Sequence, residues 1–454
     1  MPFSMAFILN FTSVRGMSLN EVYADFVKIL GYENVLRGDY VQPYSVDKYT
    51  RSVVKPTFIL KPASVQQLLQ ILSLARKYGM SITPRGGGFD LAMGSMVSDG
   101  IIIDLTRLNE ILEVNDENYT ITVQCGVTFE DINEKLTLKR LSVDLEPITS
   151  PEATIGGFIA SHGIGYGLLR HGCSVLNIIR DLEVVLSDGT IIHTGFKNLP
   201  FGKAGYNLTS LMIGSEGLFG IITEVTLSVF PAPETVASVA LNFSSIEDGL
   251  NFLGDITKRL TTAHSAFMMN ATFKDNIIRN ALKYPFGEFS GLIRLEGSRE
   301  EVEWEKDSVE NLCGTSKNNI DEDLWNYRFL YHVIRELNYP VLIDDYIIPV
   351  KKSAEAYNVI REIAAREKLN FMTHFLYLGS NIVLNLMYVD DIRKAYSLEK
   401  EIDEAINLIG GRPLTIGLRR VEVMKKTSPC LFNLLSEIKR VLDGINLFCP
   451  NKLL

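Results

Sequence analysis

The chain has 454 residues, room for two or three domains, with 46% hydrophobic and 22% charged residues. That balance marks a globular protein with enough apolar material for large cores. The net charge of -9 speaks against non-specific binding to nucleic acid or anionic lipid, both of which need a positive surface.

Five cysteines (Cys125, Cys173, Cys313, Cys430 and Cys449) are scattered, with neither a CxxC pair nor a Cys/His group at zinc spacing. An odd, sparse set suits a reducing compartment. No stretch reaches the roughly 18–20 apolar residues of a spanning helix. The short apolar run Met5 to Phe11 lacks a basic leading region and a small-residue cleavage site, so it does not read as a signal peptide. The expected location is the cytoplasm, with peripheral attachment at the inner membrane face as the alternative. Residues 1–50 form an amino-terminal segment in which 1–16 carry no fold role and 18–31 show helical apolar spacing at Val22, Phe26, Ile29 and Leu30.

A short strand from Thr57 to Leu60 follows, then Ser64 as cap for a helix through VQQLLQILSLARKYG that Gly79 ends. A further strand precedes Pro84-Arg85-Gly86-Gly87-Gly88. GIIIDL and TITVQCG read as strands, and Phe129 to Leu138 as a helix. DLEVVLSDGTIIHTG reads as a hairpin about Ser187-Asp188-Gly189. Pro231 and Pro233 mark a boundary. Beyond it VASVALNF, SGLIRLEG, VLIDDYIIPV and NIVLNLMYV read as strands, each followed by an amphipathic helix, and a last helix runs from Leu431 to Leu442. The pattern is α+β, with an antiparallel sheet covered by helices on one face in the second half.

Three glycine-rich stretches stand out: Arg85 to Gly88, Ala153 to Gly167, and Gly214 to Gly220. Backbone without Cβ atoms can approach a phosphate or a flat ring closely. A flexible loop or tight helix–sheet packing explains any one of them equally well. None is a GxGxxG fingerprint, so no nicotinamide cofactor is indicated.

Taken in order, KPTFILKPASVQQL, PRGGG, GIIIDLTRLNEILEV, ITVQCGVTFEDIN, ATIGGFIA, IIRDLEVVLSDG and YNLTSLMIGSEGLFGIITEVTL resemble the FAD-binding domain of the vanillyl-alcohol oxidase / p-cresol methylhydroxylase superfamily. Within it the chain is most similar to the FAD-linked D-lactate dehydrogenase and glycolate oxidase subunit type. The resemblance implies a two-subdomain PCMH-type FAD-binding domain over 51–233, a substrate or cap domain over 234–411, and a segment 412–454 returning to the first domain. It implies FAD against Pro84, Arg85, Gly86, Gly87, Gly88, Phe89, Pro147, Ser150, Ala153, Thr154, Gly156, Gly157, Ser161, His162, Gly217, Gly220, Ile221 and Ile222. The pyrophosphate falls on the first two stretches and the adenine end near Ile221 and Ile222. Gly88 occupies the place where relatives with covalent flavin carry a histidine, so FAD is expected to be non-covalent.

The resemblance also implies hydride removal from a carbon bearing a hydroxyl, with a base for its proton and a divalent metal on the hydroxyl. Here the metal and base positions fall on Val383, Pro413 and Leu414, whose side chains have no lone pair. His374 survives, but one histidine does not make a divalent site, and no metal is expected. Arg328 matches the arginine that clamps a substrate carboxylate, and His332 lies one helical turn beyond it. Arg328, His332 and His374 are thus the expected catalytic residues. Three readings stay open: an FAD-dependent dehydrogenase of a 2-hydroxyacid or related alcohol; a catalytically degenerate FAD subunit of a glycolate-oxidase-like complex; or a sugar-alcohol or lactone oxidase. The expected partners are a small hydroxyacid or alcohol and an electron acceptor, either a protein, a quinone or a partner subunit.

Overall fold

The computed structural model describes residues 13–452 except 15–16, 48, 171–174, 200–204, 271–288, 314–324, 326–327, 329–341, 389–391, 415–416, 418–419 and 451. The expectations for Met5 to Phe11, Cys173 and His332 lie outside the described residues.

Helix α1 (Leu19–Leu30) opens on a capping box: Ser18 N donates to Glu21 Oε2 at 2.8 Å, and Glu21 N donates back to the Ser18 hydroxyl. Strands β1 (Val35–Leu36) and β2 (Phe58–Leu60) lead to helix α2 (Val65–Tyr78). Ser64 caps that helix by accepting from Gln67 N, and Gly79 ends it at φ 68°. With β3 (Ile82–Arg85) and β4 (Ile101–Asp104) a four-stranded sheet forms in the order β1-β2-β4-β3, parallel between β2, β4 and β3. Phe58, Leu60, Ile101 and Ile103 turn to the helices, while Ile59 and Ile102 turn to the opposite face with Val41 and Val97.

The next elements are β5 (Ile111–Asn115), β6 (Thr120–Gln124), α3 (Phe129–Thr137), β7 (Glu146–Pro147), α4 (Ile155–Ala160), β8 (Gly165–Tyr166), β9 (Ile179–Val185), β10 (Ile191–His193) and β11 (Ile221–Ser228). Five of them make an antiparallel sheet, β10-β9-β11-β6-β5. The β9–β10 hairpin turns at Asp188-Gly189, where Gly189 adopts φ 92°.

The second half comprises β12 (Thr235–Phe243), α5 (Ile246–Ile256), β13 (Ala263–Asn270), β14 (Phe289–Gly297), α6 (Arg299–Cys313), β15 (Leu342–Pro349), α7 (Ser353–Arg366), β16 (Phe371–Leu378), β17 (Asn381–Tyr388), α8 (Ile392–Ile409) and β18 (Arg412–Pro413). Its seven strands form an antiparallel sheet in the order β12-β14-β13-β16-β17-β15-β18. Strands β13 and β16 are absent from the sequence reading. Both are buried on both faces, so neither shows the polar alternation that marks a half-exposed strand.

Alternation along these strands sorts two cores. Met268, Ile293, Tyr346, Phe375 and Leu384 face the helices, whereas Phe267, Leu292, Ile343, Leu376 and Val383 join the core of the first half. The helix-covered sheet therefore lays its other face over the glycine-rich segments. After helix α9 (Pro429–Leu442) the chain runs back beside β3: Ile82 N donates to Leu447 O and Cys449 N to Ile82 O, each at 2.8 Å. The fully buried Lys439 ammonium bonds Asp443, Phe448 O and Leu218 O, fixing that return.

Candidate functional site

Strand β3 delivers Arg85 to the sheet edge and then breaks into three glycines. A Cβ on Gly86 would collide with the Thr154 hydroxyl, just before α4, and would lie 3.5 Å from Gly157 Cα. A Cβ on Gly156 would lie 2.5 Å from Cys125 Cβ, and one on Gly217 would strike the Pro84 ring. Gly88 and Gly217 hold φ of 70° and 77°, which L side chains rarely adopt. The three stretches thus meet, and side-chain-free backbone is what lets them.

Between them and the seven-stranded sheet lies a cavity with about 1230 Å3 of space free of protein atoms, part of it open to solvent. Pro84, Arg85, Gly86, Gly87, Gly88, Phe89, Ala153, Thr154, Gly156, Gly157, Ser161, His162, Gly217, Gly220, Ile221 and Ile222 all line it. Pro147 and Ser150 do not: Pro147 pairs with Gly165 in the β7–β8 ribbon, and the buried Ser150 hydroxyl accepts from Glu152 N. The sheet contributes Asp345 from β15 and Asn385 from β17, with Leu414 just beyond β18.

Charge is unevenly placed around this space. Arg85 is buried over the Tyr44 ring, and burial lowers its pKa from the ordinary arginine value. Asp90 bonds Gly94 N; burial, then Glu216 beside it, push its carboxyl up to about 6. Lys452, on the returning chain end, contacts Glu216 Oε2 at 3.0 Å; burial would lower its ammonium, but that carboxylate leaves it raised. His162 sits at φ 50°, its pKa lowered by burial. Asp90, Glu216, Lys452, Asp345 and Asn385 were not singled out from the sequence. Three of them, Glu216, Asp345 and Asn385, lie inside the motifs quoted above, but only the fold shows which side chains turn inward.

Neither Arg328 nor His374 is among the described residues that line this cavity. Arg328 Nε donates to Glu146 Oε2 at 2.6 Å and Nη1 to Trp325 O at 2.8 Å. The guanidinium groups of Arg294 and Arg328 lie over the Trp325 ring, 4.8 and 5.1 Å from its centroid. His374 is 1% exposed, 3.4 Å from both the Tyr166 hydroxyl and Asn385 Nδ2, and burial lowers its pKa to about 3. Strand register sets His374 opposite Asn385 and Val383 opposite Leu376, so His374 does not share a rung with Val383. Nearby, Asp144, His264 and Glu296 bring ligand-type atoms within 4.8 Å of one another. Arg170 contacts both carboxylates, and Arg294 Nε lies 2.6 Å from Glu296, so the negative charge a cation would need is already balanced.

Residues 56–195 match the family profile for an FAD binding domain, and 232–453 match that for the C-terminal domain of FAD linked oxidases. The chain belongs to the FAD-linked oxidases. This FAD-linked oxidase is 28% identical over 389 residues to the glycolate oxidase subunit GlcD of Bacillus subtilis, covering 82% of the chain and 81% of that protein. It is 25% identical to a D-lactate dehydrogenase of Archaeoglobus fulgidus, over 96% of the chain and 99% of that protein. Among solved structures, p-cresol methylhydroxylase with substrate bound has the same fold, at a TM-score of 0.79, 17% identity, and coverage of 97% and 98%. The 4-ethylphenol oxidase from Gulosibacter chungangensis does too, at 0.80 and 18%, with the same coverage. The glycine cradle and the size of the cavity fit the dinucleotide that gives the family its name. Among the described residues of this FAD-linked oxidase, no helix is long and apolar enough to cross a membrane.

Proposed function

We propose that the chain oxidises a 2-hydroxyacid or related alcohol and holds its FAD without a covalent bond. One observation carries the reading: three glycine stretches, far apart in sequence, converge on one large cavity that a polar patch of the seven-stranded sheet closes. The Gly86 to Gly88 loop and the Ala153 to Gly157 segment would receive the pyrophosphate, with Arg85 and Lys452 supplying positive charge. Ile221 and Ile222 would lie along the adenine end. Gly88 offers no nucleophile for a flavin linkage. FAD, when bound, supplies the acceptor for the hydride.

The relatives named for D-lactate and glycolate chemistry support a 2-hydroxyacid as substrate. Arg328 is the proposed clamp for its carboxylate, a role its guanidinium already plays toward Glu146. A metal is not part of the proposal, since Val383, Pro413 and Leu414 offer no ligand atoms. That loss also favours a second reading, a flavin subunit without its own turnover inside a larger complex, as the subunit name of one relative suggests. Anaerobic mixing of purified protein with a panel of 2-hydroxyacids and alcohols tests the first reading. Loss of the flavin's visible absorbance supports it, and an oxidised spectrum with every compound favours the second.

A further inference from the structure

We propose that Asp345 is the group that takes the substrate's hydroxyl proton, an assignment that rests on the alcohol-oxidising reading above. Antiparallel register sets Asp345 opposite Asn385 and Asn385 opposite His374, making one polar row across β15, β17 and β16. These residues share a face with Ile343, Val383, Leu376 and Met387, the face turned to the first half of the chain. Asp345 and Asn385 reach the cavity; His374 stays behind Asn385. Among the described residues that line the cavity from this sheet, Asp345 is the one titratable side chain.

Its placement is held firmly. Arg420, 1% exposed, donates through Nη1 to Asp345 Oδ1 at 3.0 Å, and Leu414 N donates to the Asp345 carbonyl at 3.0 Å. The guanidinium also contacts Asp344, Asp403 and Glu399, so it cannot swing away without leaving buried carboxylates behind. A carboxylate fixed in this way is pre-oriented toward whatever occupies the cavity beside it. The two other carboxylates on the wall are tied to the glycine cradle: Asp90 binds Gly94 N, while Glu216 binds Lys452 and Gly417 N. His374, neutral and screened by Asn385, does not face the space.

The step balances. The O–H bond breaks and its proton passes to an Asp345 oxygen as the C=O bond forms; bound FAD would be the oxidant, taking the hydride and both electrons of the broken carbinol C–H bond. Asn385, on the adjacent strand, is placed to orient the oxygen by hydrogen bonding.

The test compares wild type with Asp345→Asn and Asp345→Glu. Asparagine keeps an acceptor for Arg420 and removes the proton site, and flavin content at the wild-type ratio shows that the fold and cradle survive. For the compound that reduces wild-type flavin, Asp345→Asn is expected to slow anaerobic reduction by about 10²- to 10⁴-fold, with substrate affinity within a few-fold. Asp345→Glu should recover part of the rate. A second readout needs no turnover: pyruvate, a 2-oxo acid, is titrated against oxidised flavin by spectral perturbation in wild type and Asp345→Asn. It should bind Asp345→Asn more tightly than wild type, because an amide N–H can donate to the carbonyl where a carboxylate cannot. A reduction rate in Asp345→Asn within about threefold of wild type would overturn the assignment. A wild-type flavin that no alcohol reduces but whose pyruvate affinity rises in Asp345→Asn would sink the turnover reading alone; absence of both responses would sink both.

Discussion

Glu146 Oε2 and Arg328 Nε meet at 2.6 Å, joining the β7–β8 ribbon to the segment that carries Trp325. The pair is mostly buried, and burial lowers the guanidinium's pKa while Glu146 opposes that shift. A carboxylate from the chain thus already sits where the proposed clamp would bind one from a substrate. Glu146→Gln keeps a hydrogen-bond acceptor and removes the competing charge. It is expected to lower KM for a 2-hydroxyacid by about 3- to 10-fold, whereas Arg328→Lys, which loses the planar fork, is expected to raise it by at least about 10-fold. Steady-state kinetics on the responding substrate check both, and equal KM values in all three proteins would remove Arg328 from the site.

Gly156→Ala isolates the glycine cradle. Its Cβ would lie 2.5 Å from Cys125 Cβ and 2.9 Å from the Cys125 carbonyl oxygen, and backbone at that distance cannot yield cheaply. The substitution is expected to cost about 1–3 kcal/mol of stability and to lower bound flavin per chain. Thermal unfolding and the visible-to-ultraviolet absorbance ratio report the two effects separately.

His374 governs one part of the stability–pH profile. Its pKa falls from the unfolded value of 6.5 to about 3 because burial excludes the charged imidazolium. The unfolded chain therefore binds the proton first, so stability conferred by the neutral ring is complete above pH 6.5 and declines as pH falls toward 3. The slope is about 1.4 kcal/mol per pH unit in that window for this one residue. Denaturant titrations at pH 5 and 7.5 should show a smaller difference in His374→Gln than in wild type.

The flavin linkage is tested by acid precipitation. Colour in the supernatant over a white pellet is the expected result, because Gly88 carries no atom able to bond the ring. Colour retained in the pellet would point instead to His162 or Cys125, the histidine and cysteine on the described cavity wall.

The local order of the chain was legible where one residue type has one physical use. Ser64 and Gly79 bracket α2 because a hydroxyl caps an N-terminus and glycine accepts positive φ at little cost. Asp188-Gly189 turns the β9–β10 hairpin for the same reason. Strands β13 and β16 were not legible, because residues buried on both faces lose the alternation that identifies a strand.

By itself, the sequence determined the α+β composition, the family and the glycine stretches, since these depend on residue types and their order. Only tertiary structure decided that Asp345 and Asn385 face the cavity, that Arg328 is bound by Glu146, and that His374 is buried. Those facts depend on strand register and on which face of the seven-stranded sheet meets the first half, and a shift of one residue would turn each of those strand side chains to the helix-covered face.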